Sequence, residues 1–384
     1  MNVHSTKALA GIRVLDLTSV IMGPVCTQIL ADYGAQVVKV EPPEGDVMRH
    51  AGAKIAPQMG AMFLHANEGK RSVVLDLKKE GDLVTLQKML PSFDVLIHNV
   101  RPQAMRRLGL DEGSVRALHP SILYVELTGY AQGGPYEQRA AFDDIIQAQV
   151  GLADLFARQS GGEPAYVPTL VADRVTGLTA AHATLAALYR RRETGEGETV
   201  RISMFETMAA LVLGDHLGGA SFEPSQGPMG YSRLLTRHRR PYRTLDGHIA
   251  VVVYNDKHWR SFFEAIGQSD AFEADLRFQT AAVRAENYDF IYGRLAEILV
   301  MRTTFEWLEL LEAADIPCSP VNKVEDLLGD PQLRATGFFD ERDVRDGRRV
   351  RRIASRFRSP TAQCSRGIPA PVLGQDTADL VPRL

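Results

Sequence analysis

Cysteine is scarce in this 384-residue chain: Cys26, Cys318 and Cys364 are odd in number and far apart. That spacing excludes a disulfide framework and a Cys-x-x-Cys metal pair, and a reducing compartment fits best. No apolar run is long enough to cross a bilayer, and the opening MNVHSTKALAG lacks the apolar stretch of a signal peptide. A cytoplasmic protein without a membrane partner is expected. Charge of one sign is lacking too. The net charge is −3, so no global field attracts nucleic acid. The basic runs RHRRPYR (237–243) and RRVRR (348–352) sit in this acidic chain and read as solvated loops or contacts for a small anion.

Familiar catalytic signatures are missing as well. The first strand-to-helix junction, LTSVIMGPVCT, has one glycine and no GxGxxG, so a dinucleotide fingerprint is absent. There is no P-loop and no HExxH. The lack of a GxSxG elbow argues against an α/β-hydrolase. His238, His248 and His258 are ten residues apart, with no carboxylate or cysteine pattern joining them. No metal site is expected.

What is present is a β-α-β texture. GIRVLDL, QVVKVEPP, RSVVLDL, DVLIHNV and ILYVELTGY are short apolar runs rich in branched residues and read as strands. Between them GPVCTQILADYGA and GDLVTLQKMLPSF carry apolar residues at helical spacing, and MRRLGLDEGSVRALHP reads as broken helix. Buried-looking strands alternating with helices predict a doubly wound, Rossmann-like parallel sheet. Ligands of such sheets sit at the carboxyl ends of strands, here near Ser19, Pro42, Asn99 and Thr128. An Ala/Leu helix is expected from about Gly177 to Tyr189, and IIQAQVGLADLF reads as one helix. Residues 219–236 look like a linker. PYRTLDGHIAVVVY reads as a hairpin turning at Asp246-Gly247, and a second turn falls at Asp346-Gly347. The expected division is a large α/β domain, 1–224 with 331–384 returning to it, and a smaller α/β domain, 225–330.

A single aspartate, Asp173, stands where VPTLVADRVTG runs into the Ala/Leu helix. Taken alone it reads as a helix cap. Asp143 likewise reads as a cap of the helix that follows it. The surrounding motifs carry more. GIRVLDLT with Gly23-Pro24, DYGAxVVKVEPP at 32–43, NxxKRSVxLDLK at 67–78 and DVLIHNVRP at 94–102 come first. LTGY at 127–130, AFDDIIQA at 141–148, ADxxxG at 172–177 and AALYRRxxTGxG at 186–197 follow in order. Together they resemble family III CoA-transferases over essentially the whole chain. That family includes formyl-CoA and carnitine CoA-transferases, with α-methylacyl-CoA racemases as divergent cousins.

The resemblance implies that Asp173 is a catalytic nucleophile, taking CoA from an acyl-CoA thioester to a free carboxylic acid through an anhydride and an aspartyl-CoA thioester. Asp143 falls where the family has an acidic residue near the catalytic pocket. Ser19, Val20, Lys78, Asn99, Arg107 and Leu108 match positions that line the CoA site. CoA is then substrate and product, with no redox cofactor. An interlocked homodimer is also implied. Ile21 and Pro42 stand where the formyl-CoA branch has glutamine and arginine, so a close formyl-CoA transferase is not expected. Phe142 stands where the racemases have a proton-carrying histidine, which disfavours racemisation. A CoA-binding protein without turnover is the remaining alternative. The small-domain segment 227–241 lacks the family's glycine cluster. Arg174, with Arg237, Arg239, Arg240 and Arg243, suggests a dicarboxylate among the substrates.

Overall fold

A computed structural model of the chain describes residues 7–343, 349–354 and 369–381. Two compact units emerge. The first comprises 1–150, 167–211 and 338–384, the second 151–166 and 212–337. The expected boundaries at 225 and 330 therefore shift, and 151–166 joins the second unit. The apolar helix Met204–His216 runs through the first boundary, and sequence texture gives no break inside a continuous helix.

The first unit is built on a parallel sheet. Its strands are β1 (Arg13–Leu17), β2 (Gln36–Glu41), β3 (Lys70–Val74), β4 (Val95–His98), β5 (Leu123–Thr128) and β6 (Thr199–Ser203). Their order is β3-β2-β1-β4-β5-β6, all parallel, as the alternating pattern predicts. Leu15, Val38, Val73, Leu96 and Tyr124 from these strands share one buried cluster with Leu86 and Met89 of the helix Glu80–Met89. The chain leaves β1 and β4 toward opposite edges of the sheet. Their carboxyl ends form the switch point where doubly wound sheets bind ligands.

Three helices bear on the site: α1 (Met22–Asp32), α2 (Asp143–Gln149) and α3 (Val171–Thr194). The last begins six residues before the expected start. Val-Ala-Asp-Arg-Val-Thr-Gly is a poor helix opener by propensity, but packing against α1 overrides that. A Cβ on Gly177 would lie 2.6 Å from the Met22 carbonyl oxygen and 3.2 Å from Val25 Cβ. Glycine is what lets the two helices approach. The expected single helix IIQAQVGLADLF is broken at Gly151, whose φ of 80° ends α2 and starts a separate helix, Leu152–Ser160. The second basic run also differs from expectation. It is strand, Arg349–Ile353, with Arg352 buried against the Glu68 carboxylate and Arg351 paired with Glu341. The turn at Asp346-Gly347 and Cys364 lie outside the described residues.

The second unit has an antiparallel sheet of β7 (Tyr242–Arg243), β8 (His248–Val251) and β9 (Cys318–Pro320). The hairpin turns at Asp246-Gly247 as expected, and the Asp246 carboxylate accepts the Thr304 N–H at 2.8 Å. An aromatic core of Trp259, Phe262, Phe263, Phe278 and Trp307 packs beside it. The expected linker 219–236 contains two single turns of helix, Gly218–Ser221 and Ser232–Leu235.

Candidate active site

The site begins with charges inside the sheet. Asp16 of β1, Lys39 and Glu41 of β2, Lys70 of β3, and Asp46 and Arg49 beyond β2 are all buried. Three carboxylates thus face three cations. Asp16 pairs with Lys70 at 3.2 Å, Asp46 with Lys39 at 3.0 Å, and Glu41 with Arg49 at 2.6 Å. Burial alone would raise the Asp16 pKa, but Lys70, Lys39 and the hydroxyls of Thr18 and Thr27 outweigh it and hold it at about 2. Burial brings Lys70 down to about 8 despite Asp16 beside it.

This network grips the loop after β1. Asp16 Oδ1 accepts the Thr18 N–H at 2.8 Å, and Lys39 Nζ donates to the Thr18 carbonyl at 2.6 Å. Asp46 Oδ1 accepts the Val20 N–H at 3.2 Å. Asn99, just past β4, clamps Ser19 from the other side of the switch point. Its Oδ1 accepts the Ser19 N–H at 2.9 Å and its Nδ2 donates to the Ser19 carbonyl at 2.8 Å. Held at these points, Val20 adopts φ of 69°, a left-handed conformation unfavourable for a β-branched residue. Such strain persists where surrounding contacts over-determine it, and it clusters at functional sites.

The loop delivers the start of α1 to Asp173. Asp173 is the third residue of α3, not its cap; Leu170 occupies that place without a side-chain hydrogen bond. The Asp173 carboxylate accepts the backbone N–H of Met22, the first residue of α1. Asp143 does not cap its own helix either. Its Oδ1 accepts the Asp173 backbone N–H at 2.9 Å, and its Oδ2 accepts Gln147 Nε2 at 2.6 Å. One carboxylate thus satisfies an orphan donor in the first turn of α3 and sits beside the other. Burial and the Asp143 charge raise the Asp173 pKa to about 6, against smaller opposing effects of Arg174 and the Met22 N–H.

A cavity of about 260 Å³ opens at this point. Ser19, Val20, Asn99, Asp143 and Asp173 all line it, so five of the eight expected site residues come together. Lys78 and Arg107 are exposed and Leu108 packs partly into the sheet core; these three do not line it. The cavity's two lining arginines, Arg101 and Arg139, are not among the expected site residues. Both are exposed, and among the described residues neither is ion-paired. Arg101 falls inside the quoted DVLIHNVRP motif, whereas nothing local marks Arg139 except its stacking on Tyr136 at 4.2 Å. Among the described residues, no group of three or more metal-ligating side chains is found.

Residues 9–377 match the family model for CoA-transferase family III. The chain belongs to that family. It is 30% identical to the succinate–glutarate CoA-transferase of Agrobacterium fabrum, over 98% of this chain and 95% of that protein. It is 32% identical to a probable fatty acyl-CoA transferase of Mycobacterium tuberculosis, over 81% of each. A crystal structure of that mycobacterial protein superposes with TM-score 0.83, covering 98% of this chain and 99% of that one at 28% identity. A CaiB/BaiF family protein from Brucella suis does so with TM-score 0.79, covering 96% and 97% at 28% identity. A family III CoA-transferase handles CoA as substrate and product, which fits a cavity at the switch point of a doubly wound sheet. No helix among the described residues is long and apolar enough to cross a membrane.

Proposed function

We propose that the protein moves CoA between carboxylic acids by covalent catalysis at Asp173. The observation that carries this reading is a buried carboxylate, at the N-terminus of one helix and facing the N-terminus of another, in the cavity at the strand ends. The Asp173 carboxylate attacks the donor thioester carbonyl, the C–S bond breaks, and CoA thiolate leaves behind a mixed anhydride. The thiolate then attacks the aspartyl carbonyl and releases the donor acid, giving an aspartyl-CoA thioester. An acceptor carboxylate displaces CoA to form a second anhydride. The thiolate attacks the acceptor carbonyl, and Asp173 is regenerated. The Met22 N–H, already on the Asp173 carboxylate, is placed to stabilise oxygen charge in the aspartyl acyl intermediates.

In this reading Asn99, Ser19 and Val20 shape the wall against CoA, whose tail continues toward Lys78, Arg107 and Leu108. Arg101 and Arg139, free of ion pairs among the described residues, serve its phosphates or an acid substrate. A dicarboxylate is proposed as one substrate. Relatives named succinate–glutarate and succinyl-CoA:mesaconate CoA-transferase support that choice. Arg139, which lines the cavity, is proposed as the dicarboxylate's recognition residue; Arg174 adjoins the nucleophile in sequence but does not line the cavity. A cytoplasmic homodimer completes the proposal.

Intact-protein mass spectrometry after mixing with succinyl-CoA and then acetyl-CoA tests it. A CoA-sized covalent adduct is expected on the wild type and not on Asp173→Ala. CoA binding without an adduct from any acyl-CoA supplied would favour racemisation or simple binding. No CoA binding would overturn the reading.

The raised Asp173 pKa adds a pH signature. Activity is expected to rise with an acid limb near pH 6, where the nucleophile ionises. Asp143→Asn removes the neighbouring charge yet keeps an oxygen for the Asp173 N–H, so the limb should move to lower pH. An unmoved limb would assign it to another group.

A further inference from the structure

A separate cavity, about 440 Å³, is lined wholly by the second unit and shares no residue with the one around Asp173. Its size suits a small organic ligand. Its walls are aromatic. Tyr254, Trp259, Tyr288 and Tyr292 line it, with Tyr288 and Tyr292 stacked 5.9 Å apart.

Three cations also reach it, and two are already neutralised. Lys257 pairs with Asp315 at 2.7 Å, and Arg284 pairs with Asp256 while donating to the Phe278 carbonyl. Arg233 is different. It is half-buried, its Nε donates to the Tyr292 hydroxyl at 2.8 Å, and its guanidinium lies 4.7 Å over the Tyr254 ring. Among the described residues it has no carboxylate partner, and its outer nitrogens, Nη1 and Nη2, make no protein hydrogen bond.

Taking a guanidinium partly out of water without a counter-ion costs free energy, which the Tyr254 ring and the Tyr292 hydroxyl offset only in part. The arrangement fixes the plane of the fork and leaves its two outer donors free. A planar, two-oxygen anion satisfies such a fork. The aromatic walls then require an apolar body attached to that anion.

We propose that this cavity binds an organic monocarboxylate carrying an aromatic or branched apolar body, its carboxylate on the Arg233 fork and its body against Tyr254, Trp259 and Tyr288. The proposal is independent of the chemistry assigned to Asp173. A phosphate offers at least as much negative charge but no body for the walls, which separates the two anions experimentally.

The chain has two tryptophans, and both lie in the second unit. Both are buried, but Trp259 lines the cavity and Trp307 does not, so a change in indole emission on binding reports on Trp259. The full-length protein is titrated with phenylacetate and, separately, with inorganic phosphate, followed by tryptophan emission and by calorimetry. Saturable phenylacetate binding is expected in the wild type and unchanged in Asp173→Ala. Arg233→Met should weaken it by about tenfold or more, the scale of a lost charge-assisted pair. Phosphate should bind at least about tenfold more weakly than phenylacetate, for want of apolar burial. If Arg233→Met loses its far-ultraviolet circular dichroism, Arg233→Lys replaces it under the same criterion, because the ammonium lacks the fork. The proposal is overturned by no saturation well beyond millimolar concentrations, by equal affinity in the Arg233 variant, by loss in Asp173→Ala, or by phosphate binding as tightly.

Discussion

Asp173→Asn should lose CoA transfer by at least about a thousandfold, since the other carboxylates lining the cavity, Asp143 and Glu137, are held by hydrogen bonds from Asp173 N–H and Gln147 and from Gly133 N–H. The same substitution should make the protein more stable. The folded carboxyl has its pKa raised from 3.8 to about 6, so ionisation opposes folding. Below about pH 4 the group is protonated in both states and costs nothing. The cost grows as pH rises from about 4, where the unfolded chain ionises, to about 6, where the folded carboxyl does, and is full at pH 7 at about 3 kcal/mol. An asparagine keeps the shape and an acceptor for the Met22 N–H without the charge. Chemical denaturation of both proteins at pH 4 and pH 7 should show the variant ahead only at pH 7. Equal stability at both values would mean that the carboxylate is not held against its own ionisation. Loss of activity with gain of stability is the pattern of a residue kept for chemistry.

The sheet was legible because it obeys a local rule. Val37, Val38 and Val40, or Val95, Leu96 and Ile97, are buried on both faces, and continuous apolar runs report that directly. The motif residues were legible for a different reason: each marks a place where backbone geometry leaves little choice. Gly177 permits the approach of Met22, and Gly23 must lie against Thr18, 2.3 Å from where its Cβ would stand. What stayed hidden is pairing across long separations. Asp143 looks like a cap of its own helix, yet its partner is an N–H thirty residues away. Lys39 and Lys70 sit in strands where lysine suggests solvent, and both are fully buried on carboxylates brought by other segments. Arg139 carries no local signature, because the cavity it lines is assembled from several strand ends. The start of α3 is hidden for a related cause. Its first turn is stabilised by α1 and Asp143, neither of which is a neighbour in sequence.

The buried charges make the largest prediction about the fold. Asp16→Ala would leave Lys70 in the interior with only the Asn67 side chain and the Pro24 carbonyl, and would strip acceptors from Thr18 and Thr27. Removing one partner of a buried pair typically costs about 3–5 kcal/mol. For a protein of this size that corresponds to a fall in Tm of about 5 °C. The penalty should also depend on pH. Near neutrality Lys70 is charged and needs Asp16; above its pKa of about 8 it can shed its proton, and the loss of the carboxylate matters less. Comparing the two proteins at pH 7 and pH 9 should therefore show a smaller gap at pH 9. Asp16→Asn keeps oxygen for the Thr18 N–H and removes only the charge, so it should retain more activity than Asp16→Ala at equal folded fraction. The reason is geometric. Thr18, Val20 and Met22 form one short path from Asp16 to the Asp173 carboxylate, so an ionic core under the sheet sets where the Met22 donor points. If folded Asp16→Ala kept full activity, the network would be structural alone and the loop would hold its shape through Asn99.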